Sequence, residues 1–137
     1  MSDDVRAVAR RVIEELINRG DMSVFDELVA ADYVDHTGVP DREAYRQLIV
    51  ASRAAFHDLH LGIEDEIVEG DRWVGRFRWT ATHGGDFMGI PATGRSIEID
   101  AIGILRIVDG QMVERWNVTD ALTLLQQIGA VPEEFAG

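Results

Sequence analysis

Apolar residues recur at helical spacing from the start of the chain. Val5, Val8, Val12, Ile13, Leu16 and Ile17 fall on one side, Arg6, Arg10, Arg11 and Glu14 on the other, and Gly20 closes the segment. A short second helix is expected from Ser23 to about Ala30. The stretch from Asp32 to Pro40 shows no period and carries turn residues, so it reads as a loop. Asp41 then offers an N-cap for a third helix whose apolar side is Tyr45, Leu48, Ile49, Ser52, Ala55 and Phe56.

Beyond Phe56 the period changes to two. Leu59, Leu61, Ile63, Asp65 and Ile67 alternate with polar residues, Glu69-Gly70-Asp71 turns the chain, and Trp73, Phe77, Trp79, Ala81 and His83 share one parity of the next strand. A glycine-rich loop from Gly84 to Gly94 follows. Asp109-Gly110 between two alternating runs predicts a tight hairpin with Val108 opposite Gln111. Regular pairing from that turn puts Ile97, Ile99, Ala101, Gly103, Leu105 and Ile107 on one face with Met112, Glu114, Trp116, Val118 and Asp120. Gly103 then faces Trp116 and leaves room for the indole beside the Asp120 carboxylate. A bulge at the turn would shift one strand by a residue and send Asp120 to the opposite face.

Helices first and antiparallel strands afterwards make an α+β domain over residues 1–137, with the helices on one face of the sheet. Four strands bent by their glycines can enclose an apolar cavity beneath the helical layer.

Asp120 carries the candidate chemistry. A carboxylate among Trp116, Val118 and Leu105 would be partly desolvated, which raises its pKa above about 3.9 and makes it a better proton acceptor. It also precedes a short apolar run from Ala121 to Ile128, ended by Gly129 and Pro132, and so reads equally as an N-cap. His83 shares parity with the tryptophans and aims at the same interior; alternatively it only bonds the adjoining loop. His36 lies in a loop, where an Asp-His pair stabilises a turn or serves a site. Asp65 has inward parity and is a second candidate carboxylate, although exposure at a strand end explains it as well. Arg72, Arg76 and Arg78 read as a solvated face.

Composition narrows the rest. The formal charge of −12, from 25 acidic and 13 basic residues, argues against nucleic acid and anionic membranes as partners. The absence of cysteine excludes disulfides and thiolate chemistry. His57 and His60 straddle a helix-to-strand junction and make a poor metal pair, and no other metal-ligand spacing is present, so no metal is expected. The serines sit in no nucleophile elbow. With no signal-like start and no apolar span, a cytoplasmic protein is expected.

Several segments together carry a family resemblance. Asp32-Tyr33-Val34-Asp35-His36, Ala55-Phe56-His57-Asp58-Leu59-His60, the loop Thr82 to Arg95, Glu114-Arg115-Trp116 to Asp120, and Leu124-Leu125-Gln126-Gln127-Ile128-Gly129 resemble the SnoaL-like polyketide cyclases of the NTF2-like superfamily. His57 and Ala92 stand where many relatives carry proline. The resemblance implies a cone of helices over a strongly curved, mainly antiparallel sheet, a central pocket and a homodimer. It also implies cofactor-independent closure of a ring in a hydrophobic polyketide ester by intramolecular aldol condensation. The family's acid/base aspartate falls on Asp120, and His36 and His83 fall where polar pocket residues are common. Tyr33, Phe56, Trp79, Phe87, Met88, Leu105, Trp116 and Val118 are the expected substrate-binding residues. Two other readings stand beside the cyclase: an epoxide hydrolase or ketosteroid-isomerase-like enzyme of the same fold, and a ligand-binding domain in which Asp120 only caps a helix.

Overall fold

The computed structural model describes residues 2–132. The expected domain of 1–137 extends past them at Met1 and at 133–137, which lie outside the described residues. Helix α1 (Ser2–Arg11) continues directly into a π-helical stretch, Val12–Asn18. Its wider turn, closed by the Arg19 amide donating to the Glu14 carbonyl, brings the adjacent Val12 and Ile13 inside together with Leu16. At Gly20 the backbone is left-handed (φ 65°), and a Cβ there would collide with Arg53. Arg53 uses that space: Nη1 donates to the Ile17 and Asn18 carbonyls at 3.0 and 2.7 Å, satisfying two carbonyls at the helix end.

The expected second helix is short. A 3₁₀ turn, Met22–Val24, leads into α2 (Phe25–Leu28), and β1 (Val29–Asp35) occupies what the pattern assigned to helix end and loop. Its aspartates are weak strand formers, but parallel pairing with the last strand, Val34 with Glu114 and Asp35 with Arg115, overrides local propensity. Helix α3 (Arg42–Ala55) is capped as expected, with Asp41 accepting from the Ala44 amide at 2.8 Å. Four strands and a helix follow: β2 (His60–Glu69), β3 (Arg72–Thr82), β4 (Ser96–Val108), β5 (Gln111–Thr119) and α4 (Ala121–Gln127).

The curved sheet has five strands in the order β1-β5-β4-β3-β2, antiparallel except for β1 with β5. The Asp109-Gly110 turn forms with φ of 52° and 77°, as its tight hairpin requires, and Val108 pairs with Gln111. Two bulges then change which side chains face inward. Ile63 pairs with Phe77 but Asp65 with Arg76, so Glu64 is extra; Ile107 pairs with Met112 but Arg106 with Glu114, so Val113 is extra. Each extra residue reverses the alternation beyond it. In β2, Ile67 turns out at 64% exposure, Val68 packs on the core, and Glu66 turns in to accept from Arg10 and from Trp73 Nε1.

The core falls into two clusters. The larger joins α1, α2 and α3 to Trp73, Phe77, Leu105 and Met112; the smaller gathers Phe56, Leu59, Ile97, Ile99, Leu124 and Ile128.

Candidate active site

A cavity of about 290 Å³ lies between the helices and the inner sheet face, with walls drawn from both clusters. Ligand pockets typically enclose roughly 300 to 1,000 Å³, so it suits a compact ligand. The π-helical stretch contributes Val12, Ile13 and Ile17, α3 contributes Tyr45, Leu48, Ile49, Ser52 and Arg53, and the sheet contributes Leu61, Phe77, Trp79, Ala101, Gly103 and Leu105. Phe87 from the glycine-rich loop and Leu124 from α4 complete the apolar wall. Arg115, Asn117 and Thr119 of β5 form a polar edge.

The Val113 bulge is the reason for that edge. It pairs Leu105 with Arg115, Gly103 with Asn117 and Ala101 with Thr119, which turns these three inward. The face expected for Trp116 and Val118 is thereby corrected. Val118 is 75% exposed, and Trp116 lies on the outer surface, stacked on His36 with centroids 4.6 Å apart and the Arg72 guanidinium above it. The space at Gly103 goes to Asn117 instead of an indole, since a Cβ there would lie 3.3 Å from Asn117 Oδ1.

Arg115 brings a buried ion pair to the cavity. Its Nη1 donates to Asp35 Oδ2 at 2.9 Å, and its guanidinium lies 5.0 Å from the centre of the Tyr45 ring. The Asp35 side chain is fully buried, and it also accepts from the Tyr33 hydroxyl at 2.5 Å and the Thr37 amide at 2.8 Å. Burial works against the Arg115 charge, but the neighbouring Tyr45, Asp35 and Tyr33 outweigh it and the guanidinium is held protonated. Burial first, then the neighbouring Tyr45 and the Asp35 hydrogen bond, push the Tyr33 hydroxyl well above the ordinary phenol range. Sequence reasoning missed this cluster because it placed Arg115 and Asn117 outside and read Asp35 as loop. The adjacent apolar pair Met112-Val113, which strict alternation does not allow, was the available signal.

Asp120 stands at the edge of the cavity: Thr119 and Ala121 on either side of it both line the wall. Its own side chain is exposed and caps α4, accepting from the Thr123 amide at 3.1 Å and the Thr123 hydroxyl at 2.6 Å. These two bonds, the hydroxyl first, hold its pKa below the ordinary value, opposite to the desolvated, raised pKa expected. Both outcomes follow from the reversed face.

The histidines lie away from the cavity wall. His36 bonds Glu114 at 2.8 Å on the outer surface, where Glu114 also accepts from Arg106. His83 is fully buried, but against Phe56 and the glycine-rich loop, with Nδ1 3.0 Å from the Thr93 hydroxyl. The loop closes on it through His83 N to Arg95 O and Gly94 N to His83 O. Its place anchors the segment that brings Phe87 to the cavity.

Among the expected substrate-binding residues, Trp79, Phe87 and Leu105 are on the wall. Tyr33 and Phe56 are one layer behind, and Met88 is 79% exposed. The inward parity expected for Asp65 is also corrected, since it sits outside beside Arg76; Asp100 lies outside beside Arg78, and Arg106 bonds Asp71 and Glu114. Among the described residues no group of three or more His, Asp or Glu could hold a metal ion, and no helix is long and apolar enough to cross a membrane.

Comparison with known proteins agrees with this architecture. The sequence pattern of the family described as SnoaL-like polyketide cyclase matches residues 7–128. The aklanonic acid methyl ester cyclase DnrD of Streptomyces peucetius is 28% identical, over 94% of this chain and 92% of its own. The nogalonic acid methyl ester cyclase of Streptomyces nogalater is 29% identical, over 82% of this chain and 88% of its own. AclR of Streptomyces galilaeus, a proposed hydroxylase, superposes with a TM-score of 0.88 at 29% identity, covering 99% of this chain and 87% of its own. The fold thus hosts more than one proposed activity. With the family pattern spanning nearly the whole chain and the helix-over-sheet cavity in place, this chain belongs to the SnoaL-like polyketide cyclase family.

Proposed function

We propose that this protein closes a ring in a hydrophobic polyketide ester by cofactor-independent intramolecular aldol condensation, with Asp120 as the acid/base group. The observation that carries the proposal is the polar edge that β5 gives a mostly apolar cavity, which runs along Arg115, Asn117 and Thr119 to the position next to Asp120. No Asp or Glu is among the described residues of the wall, and Asp120 is flanked by two of them. Its carboxylate takes the proton from carbon next to a carbonyl, and the C–H electron pair passes to that carbonyl as an enolate. The enolate carbon bonds to a second carbonyl carbon of the same molecule, and the alkoxide formed there takes the proton back from Asp120. The free carboxylate is a weak base, its pKa held low by Thr123. A substrate covering it would strip away water and raise its basicity at the moment it is needed. A homodimer would bury the outer sheet face, where Val118, Ile102 and Val34 are 75%, 50% and 48% exposed.

The test is turnover of a panel of aromatic polyketide esters and 1,3-dicarbonyl compounds by wild type and Asp120→Asn, with binding followed in parallel. Turnover lost with binding retained supports acid/base catalysis at Asp120; unchanged turnover in Asp120→Asn refutes it. A second reading is favoured by the two Thr123 bonds, which make Asp120 a sufficient N-cap without any chemistry. On that reading the cavity is a binding site, and both proteins bind the panel without converting it.

A further inference from the structure

Arg115 is the one cationic group that β5 turns into the cavity, and its surroundings decide what it can receive. Behind it, Asp35 is completely covered and has both oxygens engaged, Oδ2 by Arg115 and Tyr33 and Oδ1 by the Thr37 amide. Among the described residues Asp35 is the hydrogen-bond partner of Arg115, through Nη1, whereas a guanidinium carries five N–H donors. The pair is formally neutral. It therefore presents N–H groups to the cavity without a net positive charge to attract an anion, whereas Arg53, the other guanidinium on the wall, has its Nη1 and Nη2 donating to the Ile17, Asn18, Leu59 and His57 carbonyls.

We infer that Arg115, compensated by Asp35, receives an uncharged carbonyl oxygen of the ligand, so that the cavity takes esters and ketones in preference to carboxylates. The inference rests on the cavity being the substrate site, as proposed above. A carboxylate entering there would bring a second negative charge to a guanidinium already paired with one, in a poorly solvated place. A carbonyl oxygen accepts the same N–H groups without that cost. If a proton is then lost from the neighbouring carbon, the negative charge growing on this oxygen finds donors already aimed at it. That interaction is stronger in the transition state than in the ground state, the condition for accelerating the step. The Tyr45 ring beneath the guanidinium keeps it in place, and Tyr33 does the same for Asp35.

The test uses methyl 2-naphthoate and 2-naphthoate, identical but for the charge, with binding to the full chain followed by titration calorimetry at neutral pH. Wild type is expected to bind the ester at least tenfold more tightly than the acid. Arg115→Gln should lose ester affinity about tenfold, and Arg115→Lys should restore part of it. Asp35→Asn, which leaves the guanidinium uncompensated, should shrink the preference about tenfold or reverse it. Circular dichroism checks that each variant is folded, and if Asp35→Asn is not, the Arg115→Gln and Arg115→Lys pair decides. The inference is overturned by unchanged ester affinity in Arg115→Gln, by an unchanged preference in folded Asp35→Asn, or by no ester binding to wild type. Failure of turnover with retained ester selectivity would refute the cyclase proposal and leave the carbonyl site standing.

Discussion

Arg115 stands directly opposite Leu105 across the β4–β5 ladder, and both line the cavity. One extra residue, Val113, brings a cation to an apolar face and makes Asp35 necessary behind it. Breaking a buried pair from one side leaves an uncompensated charge, at a cost of about 3–5 kcal/mol, whereas replacing both partners is far less costly. Arg115→Met and Asp35→Asn are each expected to lose stability on that scale in urea unfolding. The double variant is expected to lose clearly less than the two losses added together. Simple additivity would mean that the two side chains stabilise the fold independently.

Thr123 gives a way to separate capping from catalysis at Asp120. Its hydroxyl is the larger cause of the lowered Asp120 pKa, so Thr123→Val should move that pKa back up. An enzyme that needs the Asp120 carboxylate then loses activity at a higher pH on acidification. The acidic limb of kcat/KM is expected to shift upward, with a fall of a few degrees in Tm from the weakened cap. A limb that stays in place while Tm falls would leave Asp120 with the cap alone.

Much of the architecture was legible because it depends on patterns that tertiary context reinforces. The helical period from Val5 to Ile17, the Asp41 cap and the Asp109-Gly110 turn each form where the residues predict. The site was less legible, for one physical reason applied twice. Parity propagates an error, so a single bulge reverses every assignment after it. Glu64 turned Asp65 and Ile67 outward, and Val113 exchanged Trp116 and Val118 for Arg115, Asn117 and Thr119. Each strand carries an adjacent apolar pair, Ile67-Val68 or Met112-Val113, which two parities explain equally well. Strand β1 was hidden differently: its pairing partner lies at the far end of the chain, and nothing local to Asp32 or Asp35 announces it.

Glu66 predicts how the fold responds to acid. Its carboxylate accepts from Arg10 Nε and Nη2 at 2.9 and 2.8 Å and from Trp73 Nε1 at 3.1 Å, and the Arg10 bond is the leading cause of its lowered pKa. A carboxylate lowered by folding contributes stability that is fully present above its unfolded value near 4.5 and is lost as the pH falls through the folded value. Glu66→Gln should therefore lower Tm most at neutral pH. The gap to wild type should narrow as the pH falls below about 4.5. A gap that is constant with pH would assign the contribution to packing and not to charge.

Gly75 and Gly103 face each other across β3 and β4, yet alanine at the two positions should fail in different ways. At Gly75 the added Cβ would overlap the ring of Trp73, which is fully buried, and approach Phe77 Cζ to 2.8 Å. Such overpacking costs about 1–3 kcal/mol because a tryptophan in the core cannot step aside. At Gly103 the neighbours are Asn117 Oδ1 at 3.3 Å and Phe77 Cε2 at 3.4 Å, which need to yield only slightly, but this residue lines the cavity and Gly75 does not. Gly75→Ala is expected to lose more stability in thermal unfolding, and Gly103→Ala to lose more affinity for methyl 2-naphthoate. If Gly103→Ala binds the ester as wild type does, the ligand does not reach the middle of the sheet beside Asn117.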